Sequence, residues 1–308
     1  MQIIKKAVIP VAGMGTRFLP ATKSIPKEMM PLGDLPAIHH IVEEAVLAGM
    51  TEILLVTTER KAAIKHYFSG DQEIDTWLEG LGKSSRLDRI EALRAEANIH
   101  YVNQPGLDGL GDAVFQAREF IGNEPFGVLL GDAVMLAETP VMGQMAAAWH
   151  TLEKDSKPGV GNTVIGAAMV PEENVSRYGI IEGELVGQSA SQSDRQSVRQ
   201  PLHKIQYLVE KPGVGQTSSR MAISGRYILP PEIFDCLAQT GRGKGNEIQL
   251  TDAIRQSLHH HQAHALVFDG KRYDIGNKFS YLEANIMFGL KDSDMKPALV
   301  QLMRDLVG

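Results

Sequence analysis

Apolar positions along this chain follow two rhythms. Short apolar runs bounded by glycine, proline or charged residues occur at 7–11, 52–57, 99–102 and 126–130, the pattern of strands buried on both faces. Residues 37–48 instead carry apolar positions at helical spacing and stop at Gly49. Trp77, Leu81, Ile90 and Leu93 fit one side of a charged helix, and residues 112–120 read as a helix between two strands. After about residue 160 the strand signals crowd together, at 163–169, 179–181, 204–209 and 222–229. Helical patterns return at 231–237, 249–259 and 279–288. Alternation of this kind predicts an α/β fold, a mostly parallel mixed central sheet flanked by helices.

One stretch departs from both rhythms. Residues 188–200 (QSASQSDRQSVRQ) hold almost no apolar side chain and read as an exposed, mobile loop. His259, His260, His261 and His264 have the composition of a metal site, but neighbours in a helix point to different faces, so a solvated helix end is expected.

Composition narrows the class. At 308 residues, 43% hydrophobic and 22% charged, the chain can bury a sizeable core. A net charge of -6 gives no general attraction to nucleic acid or to an anionic membrane, so phosphate binding needs a local basic cluster. The one cysteine, Cys236, excludes an intrachain disulfide and a cysteine-built metal site, and a cytoplasmic setting is expected. No apolar run approaches the ~18 residues of a membrane span, and the apolar stretch after Lys5 and Lys6 is too short for a signal peptide.

The basic cluster follows the first strand. Gly13 and Gly15 stand where backbone can approach a ligand or take positive φ, and turned N–H groups make an anion cradle. Arg17, Lys23 and Lys27 follow, separated by Pro20 and Pro26, which restrain the loop. Arginine can grip phosphate oxygens bidentately while lysine acts as a point charge, so the segment suggests triphosphate binding; a tight turn with a solvated basic face is the alternative. A Walker A loop is excluded by the missing Gly-Lys-Ser/Thr, and the dinucleotide fingerprint by Phe18 in place of the third glycine.

The segment GMGTRFLPATKSIPKEMMPL resembles the signature of sugar-1-phosphate nucleotidyltransferases, and within it PATKSIPKEMMPL is similar to the bacterial branch that joins UTP to glucose 1-phosphate. The likeness continues in order through NQPGLDGLGDAV (103–114), VLLGDAV (128–134), RYGII (177–181), VEKP (209–212), SGRYIL (224–229), GNEIQLTDAI (245–254) and YDIGNKFSYLEA (273–284). It implies a Rossmann-like nucleotidyltransferase fold in a single domain, residues 1–308, with a nucleotide half to about residue 135 and a sugar half with C-terminal helices from about 136. It also implies Mg²⁺ as cofactor. UTP and glucose 1-phosphate would be substrates, UDP-glucose and pyrophosphate products, and a homodimer or homotetramer the assembly.

Residue by residue, the resemblance assigns Ala12, Gly13 and Gly15 to the nucleotide, with Gln104 pairing with uracil and Gly109 and Gly111 beside base and ribose. A glutamine amide can both donate to and accept from a pyrimidine edge. Arg17, Lys27 and Lys211 become the catalytic cations. Asp132 and Asp274 become the metal ligands; aspartates in such contexts also serve as helix caps or turn residues. Gly179 would approach the sugar through its backbone, Glu210 would accept from sugar hydroxyls and Lys211 would hold the sugar phosphate. Glu210 and Lys211 are neighbours, so both reach one ligand only if the strand ends or bends near Pro212. Many members carry Lys-Gly-Leu-Gly-His where this chain has Asp108-Gly-Leu-Gly-Asp112, which puts acids near the nucleotide loop; Asp112 could cap the following helix. Another sugar phosphate, dTTP, or a non-catalytic regulatory role remain open alternatives.

Overall fold

The computed structural model describes residues 3–155, 161–190 and 199–307. Its first half runs β1 (Lys6–Pro10), β2 (Pro31–Leu32), β3 (Leu35–Pro36), α1 (Ala37–Leu47), β4 (Glu52–Thr57), α2 (Ala62–Phe68), α3 (Gln72–Gly80) and α4 (Asp88–Glu96). It continues through β5 (Asn98–Asn103), α5 (Leu110–Phe115), α6 (Arg118–Ile121), β6 (Phe126–Leu129) and β7 (Ala133–Leu136). The second half begins with α7 (Val141–Asp155), β8 (Asn162–Met169), β9 (Gly179–Ala190), β10 (Arg199–Glu210), β11 (Met221–Leu229) and α8 (Ile233–Gln239). It ends with α9 (Leu250–Ser257), β12 (Gln262–Val267), β13 (Lys271–Asp274), α10 (Lys278–Lys291) and α11 (Lys296–Val307).

The main sheet has nine strands in the order β5-β4-β1-β6-β11-β8-β12-β10-β9. β9 also pairs with β11, which closes β11, β8, β12, β10 and β9 into a ring. The sheet is mixed, as expected, but not mostly parallel. β5, β4, β1 and β6 are parallel, as are β8 and β12. The remaining pairings, β6–β11, β11–β8, β12–β10, β10–β9 and β9–β11, are antiparallel. Parallel neighbours need a crossover between them. The chain supplies helices between β1, β4, β5 and β6, whereas no α-helix lies between β8 and β11 among the described residues.

The apolar runs are continuous because the sheet is covered on both faces. On β1, Ala7 and Ile9 enter one core and Val8 the other; on β4, Ile53 and Leu55 face one way, Leu54 and Val56 the other. Truncating Leu54 or Leu55 to alanine would cost about 2–5 kcal/mol. α1 ends where the sequence stops it. Gly49 takes φ +87°, its N–H reaches Val46 O at 2.8 Å, and Met50 N–H reaches Ala45 O at 2.9 Å, satisfying two carbonyls of the last turn.

Three expectations need correction. The charged helix of residues 77–93 is two helices, α3 and α4, parted at Gly82 (φ +62°); Leu78, Ile90 and Leu93 are buried while Trp77 and Leu81 are exposed. The helix at 112–120 is likewise divided into α5 and α6. Residues 188–190 and 199–200 are not loop but the paired ends of β9 and β10, with Arg199 opposite Ala190; residues 191–198 lie outside the described residues. His259 and His260 are exposed beyond the end of α9, whereas His264 is buried on β12, so the histidines do not converge. No helix among the described residues is long and apolar enough to cross a membrane.

Candidate active site

The carboxyl ends of β1, β5 and β6 open onto a cleft of about 420 Å³. Ala12, Gly13, Met14, Lys27, Gln104, Gly109, Asp132 and Glu247 are among the residues that line it. The two loop glycines do different work. A side chain at Gly13 would meet nothing within 4 Å, so that position leaves the cleft open. Gly15 takes φ +64°, and a Cβ there would press on Thr22 at 3.3 Å, whose hydroxyl donates to Gly15 O at 2.8 Å. Gly15 thus folds the loop back on itself and sets the path to Arg17 and Lys27.

Lys27 Nζ lies 2.8 Å from Asp132 Oδ2. Burial by itself would lower the Lys27 pKa, but Asp132 and the neighbouring Glu28 outweigh it and hold the ammonium above its ordinary value. Burial likewise pushes the Asp132 carboxyl upward, and Lys27, Arg272 and Arg17 together overcome it, so the carboxylate sits below its usual range. Beneath this pair lies a second, buried one: Lys61 Nζ contacts both Glu28 oxygens, at 2.9 and 2.7 Å. Gly131 lets Asp132 approach β1, since a Cβ there would fall 2.8 Å from Pro10 O.

Asp274 comes to the same place from far along the chain. It ends β13, opposite Ala133 of β7, and Ile275 N–H donates to Asp132 O at 2.9 Å. Its Oδ1 accepts from Gly276 N–H at 2.8 Å, and Arg17 Nη1 stands 3.7 Å from its Oδ2. The fold therefore gathers Arg17, Lys27, Asp132 and Asp274, which are distant in sequence. Among the described residues no group of three or more His, Cys, Asp or Glu side chains could hold a metal alone. Two neighbouring aspartates nonetheless fit Mg²⁺, which takes one or two carboxylates and completes its shell with water and phosphate oxygens.

A second cluster lies where β10 ends. Glu210 is its last residue, and Lys211 turns the chain with φ +44°, a conformation that non-glycine residues rarely adopt. The bend falls at Lys211 itself, one residue before Pro212, and brings Lys211 Nζ to 3.2 Å from Glu210 Oε1. Thr251 donates its hydroxyl to Glu210 Oε2 at 2.8 Å. A Cβ at Gly179 would stand 3.0 Å from that carboxylate and 2.8 Å from Ile223, so only glycine lets the strands close here. Gly179, Glu210 and Lys211 are thus brought together, with Thr251 as a partner that the sequence reading missed.

The remaining sequence candidates divide. Gly109 (φ +105°) lines the cleft, and its Cβ would clash with Glu247 and with Ile248 O at 2.8 Å. Gly111 is buried against Ile248 O, also 2.8 Å from a Cβ, and does not line the cleft. Asp112 does not cap α5, whose N-cap is Gly109; its carboxylate accepts from Gln104 and Gln116 instead. Asp108 pairs with Arg242 at 2.8 Å and so ties the loop before α5 to the loop before α9. Arg272 was also missed: its guanidinium lies 4.9 Å from the Tyr178 ring and its charge bears on Asp132. Only the pairing of β13 with β7 reveals it.

Comparison with known proteins identifies the family of the whole chain. The nucleotidyl transferase family model matches residues 6–288. A UTP–glucose-1-phosphate uridylyltransferase of Staphylococcus epidermidis is 44% identical over 306 residues, covering 99% of both chains. One from Staphylococcus haemolyticus is also 44% identical over 306 residues, again covering 99% of both. Among solved structures, UTP-bound UGPase from Acinetobacter baumannii superposes with a TM-score of 0.84 at 36% identity, covering 99% of this chain and 100% of that one. A UDP-glucose pyrophosphorylase complexed with UDP-glucose gives a TM-score of 0.80 at 36% identity, with 94% and 100% covered.

Proposed function

The chain belongs to the nucleotidyl transferase family, in its UTP–glucose-1-phosphate uridylyltransferase branch, and from that membership we propose that its cleft joins UTP and glucose 1-phosphate into UDP-glucose and pyrophosphate. The observation that carries the reading is the Lys27–Asp132 pair, 2.8 Å long, at the floor of a glycine-lined cleft. Relatives bound to UTP and to UDP-glucose support the choice of ligands. Residues 1–308 would act as one catalytic domain, as a homodimer or homotetramer.

The nucleobase would sit against Ala12, Gly13 and Gln104, with Gly109 beside it. Glu210 would accept from sugar hydroxyls and Lys211 would hold the sugar phosphate. A phosphate oxygen of glucose 1-phosphate then attacks the α-phosphorus of UTP; a new P–O bond forms as the bond to the β-phosphate oxygen breaks, and pyrophosphate leaves with that electron pair. The nucleophile is already an anion at neutral pH, so no general base is required. The obstacle is repulsion between anions, which Arg17, Lys27 and Lys211 offset while holding the reacting groups in line. Asp132 and Asp274 would hold Mg²⁺, which when bound supplies further charge neutralisation at the phosphate oxygens.

The test is a time course of pyrophosphate release from UTP and glucose 1-phosphate, with dTTP and other sugar 1-phosphates in parallel. Release matched by UDP-glucose, stopped by EDTA and restored by Mg²⁺, is expected. Failure of UTP and glucose 1-phosphate to react, or full activity in metal-free buffer, would refute the substrate assignment or the metal role respectively.

A further inference from the structure

Gln104 leaves β5 at the rim of the cleft, with its backbone N–H fixed on Thr57 O at 2.9 Å and its side chain almost fully buried. Its amide nitrogen lies 3.1 Å from Gly109 O and 2.7 Å from Asp112 Oδ2. Both partners can only accept when Asp112 is ionised, so the face of the amide turned toward them must be the nitrogen, whose two hydrogens are then both engaged. Asp112 is in turn held: Gln116 Nε2 donates to its other oxygen at 2.9 Å. Among the described residues no hydrogen bond reaches Gln104 Oε1, and that oxygen is not among the buried polar atoms left without a partner. Gln104 itself lines the cleft. The free amide is ambidextrous; here the Gly109 carbonyl and the Asp112 carboxylate, the nearer of the two acceptors, remove the ambiguity together.

We propose that Asp112 is a positioning residue that locks the Gln104 amide so that it presents only its carbonyl oxygen to the nucleobase, and thereby selects UTP against CTP. The inference rests on Gln104 being the residue that meets the base. Uracil offers a donor at N3, which a fixed carbonyl oxygen accepts. Cytosine offers a lone pair at N3, which the same oxygen repels. A site that leaves a buried polar group opposed to its like rejects the wrong ligand strongly. Thymine carries the same N3–H as uracil, so the lock has no bearing on dTTP. That gives an internal control that general damage to the site would not satisfy.

The experiment compares kcat/KM for UTP, CTP and dTTP, with glucose 1-phosphate fixed, in the full chain and in Asp112→Leu, Asp112→Glu, Gln116→Leu and Gln104→Ala, with melting temperature as the check on folding. Wild type is expected to prefer UTP over CTP. Asp112→Leu should reduce that preference by at least ~10-fold, the order of one buried hydrogen bond exchanged for a mismatch, and leave the UTP/dTTP ratio within about twofold. Asp112→Glu, which keeps an acceptor-only group, should retain much of the preference. Gln116→Leu leaves Asp112 and the cleft intact, and covers the case of an unfolded Asp112→Leu; a drop of roughly threefold is expected. An unchanged UTP/CTP ratio in folded Asp112→Leu, alongside a collapsed ratio in Gln104→Ala, would overturn the lock alone. An unchanged ratio in Gln104→Ala would overturn the placing of the base on Gln104, and the lock with it.

Discussion

Two lysines are assigned to phosphate, and they stand in opposite surroundings. Lys27 belongs to the parallel part of the sheet; its side chain is 12% exposed, it is pinned to Asp132, and Glu28 and Lys61 lie beneath it. Lys211 belongs to the closed ring of strands; its side chain is 47% exposed, and its carboxylate contact is its own neighbour, Glu210, reached through a positive φ. The first is a pre-built charge array in which partner charges outweigh burial at Lys27 and Asp132, while burial still prevails at Glu28 and Lys61 beneath them. The second is a bend that swings two adjacent side chains to one side of a strand. A charge held in low dielectric and already oriented acts strongly on a transition state, whereas an exposed one acts mainly on binding. The nucleotide side of this site should therefore govern turnover, and the sugar side affinity.

The sharpest break of that contrast is Lys27→Ala. Turnover is expected to fall by ~10³-fold or more, the upper range for loss of one oriented charge donor. A folded Lys27→Ala with near-normal kcat in the pyrophosphate assay would dissolve the distinction. Arg17→Ala comes next, with a loss of ~10²-fold in kcat. Arg17 is 60% exposed and stands 3.7 Å from Asp274, so its contribution depends on substrate drawing it in; unchanged kinetics would make it a surface residue.

Lys211→Ala should raise the KM for glucose 1-phosphate by about tenfold, with the KM for UTP little changed, as removal of a ground-state contact requires. A selective rise in the KM for UTP would mean that the two phosphate positions are exchanged. Thr251→Val removes the hydroxyl that fixes Glu210 and should weaken glucose 1-phosphate by roughly threefold, the scale of one partly exposed hydrogen bond. Steady-state kinetics on the sugar substrate measure both.

The smallest effect is on stability. The folded pKa of Asp132 is depressed, so its contribution is fully present above the unfolded value of ~3.9 and is lost as pH falls through the lower folded value. Asp132→Asn removes that dependence, and the fall in melting temperature below about pH 4 should be shallower than in wild type. Identical acid limbs in the two proteins would show that Lys27 does not stabilise the carboxylate.

The same contrast explains what the sequence made legible. In the parallel part, strands are continuous apolar runs and their carboxyl ends carry the loops, so Gly13 and Lys27 stood out from local order, Asp132 from its strand end together with the resemblance, and Gln104 from the resemblance. In the ring, β9 and β10 are long and partly solvent-facing, so their polar ends at 188–190 and 199–200 look like loop. Asp274 was nameable only by resemblance, because its position depends on β13 lying against β7, a pairing across more than a hundred residues. Helices α7 and α11 escaped the periodicity reading altogether. Asp108 and Asp112 read as acids intruding on a phosphate site; the structure gives each a partner, Arg242 and Gln104, that no spacing rule would have joined.

If the two regions each hold one substrate's phosphate across a single cleft, transfer needs no covalent uridylyl-enzyme. The most direct test is the stereochemical course with UTP made chiral at the α-phosphorus by sulfur substitution. One in-line displacement predicts inversion at that phosphorus in the UDP-glucose formed; retention would demand two displacements and contradict direct attack.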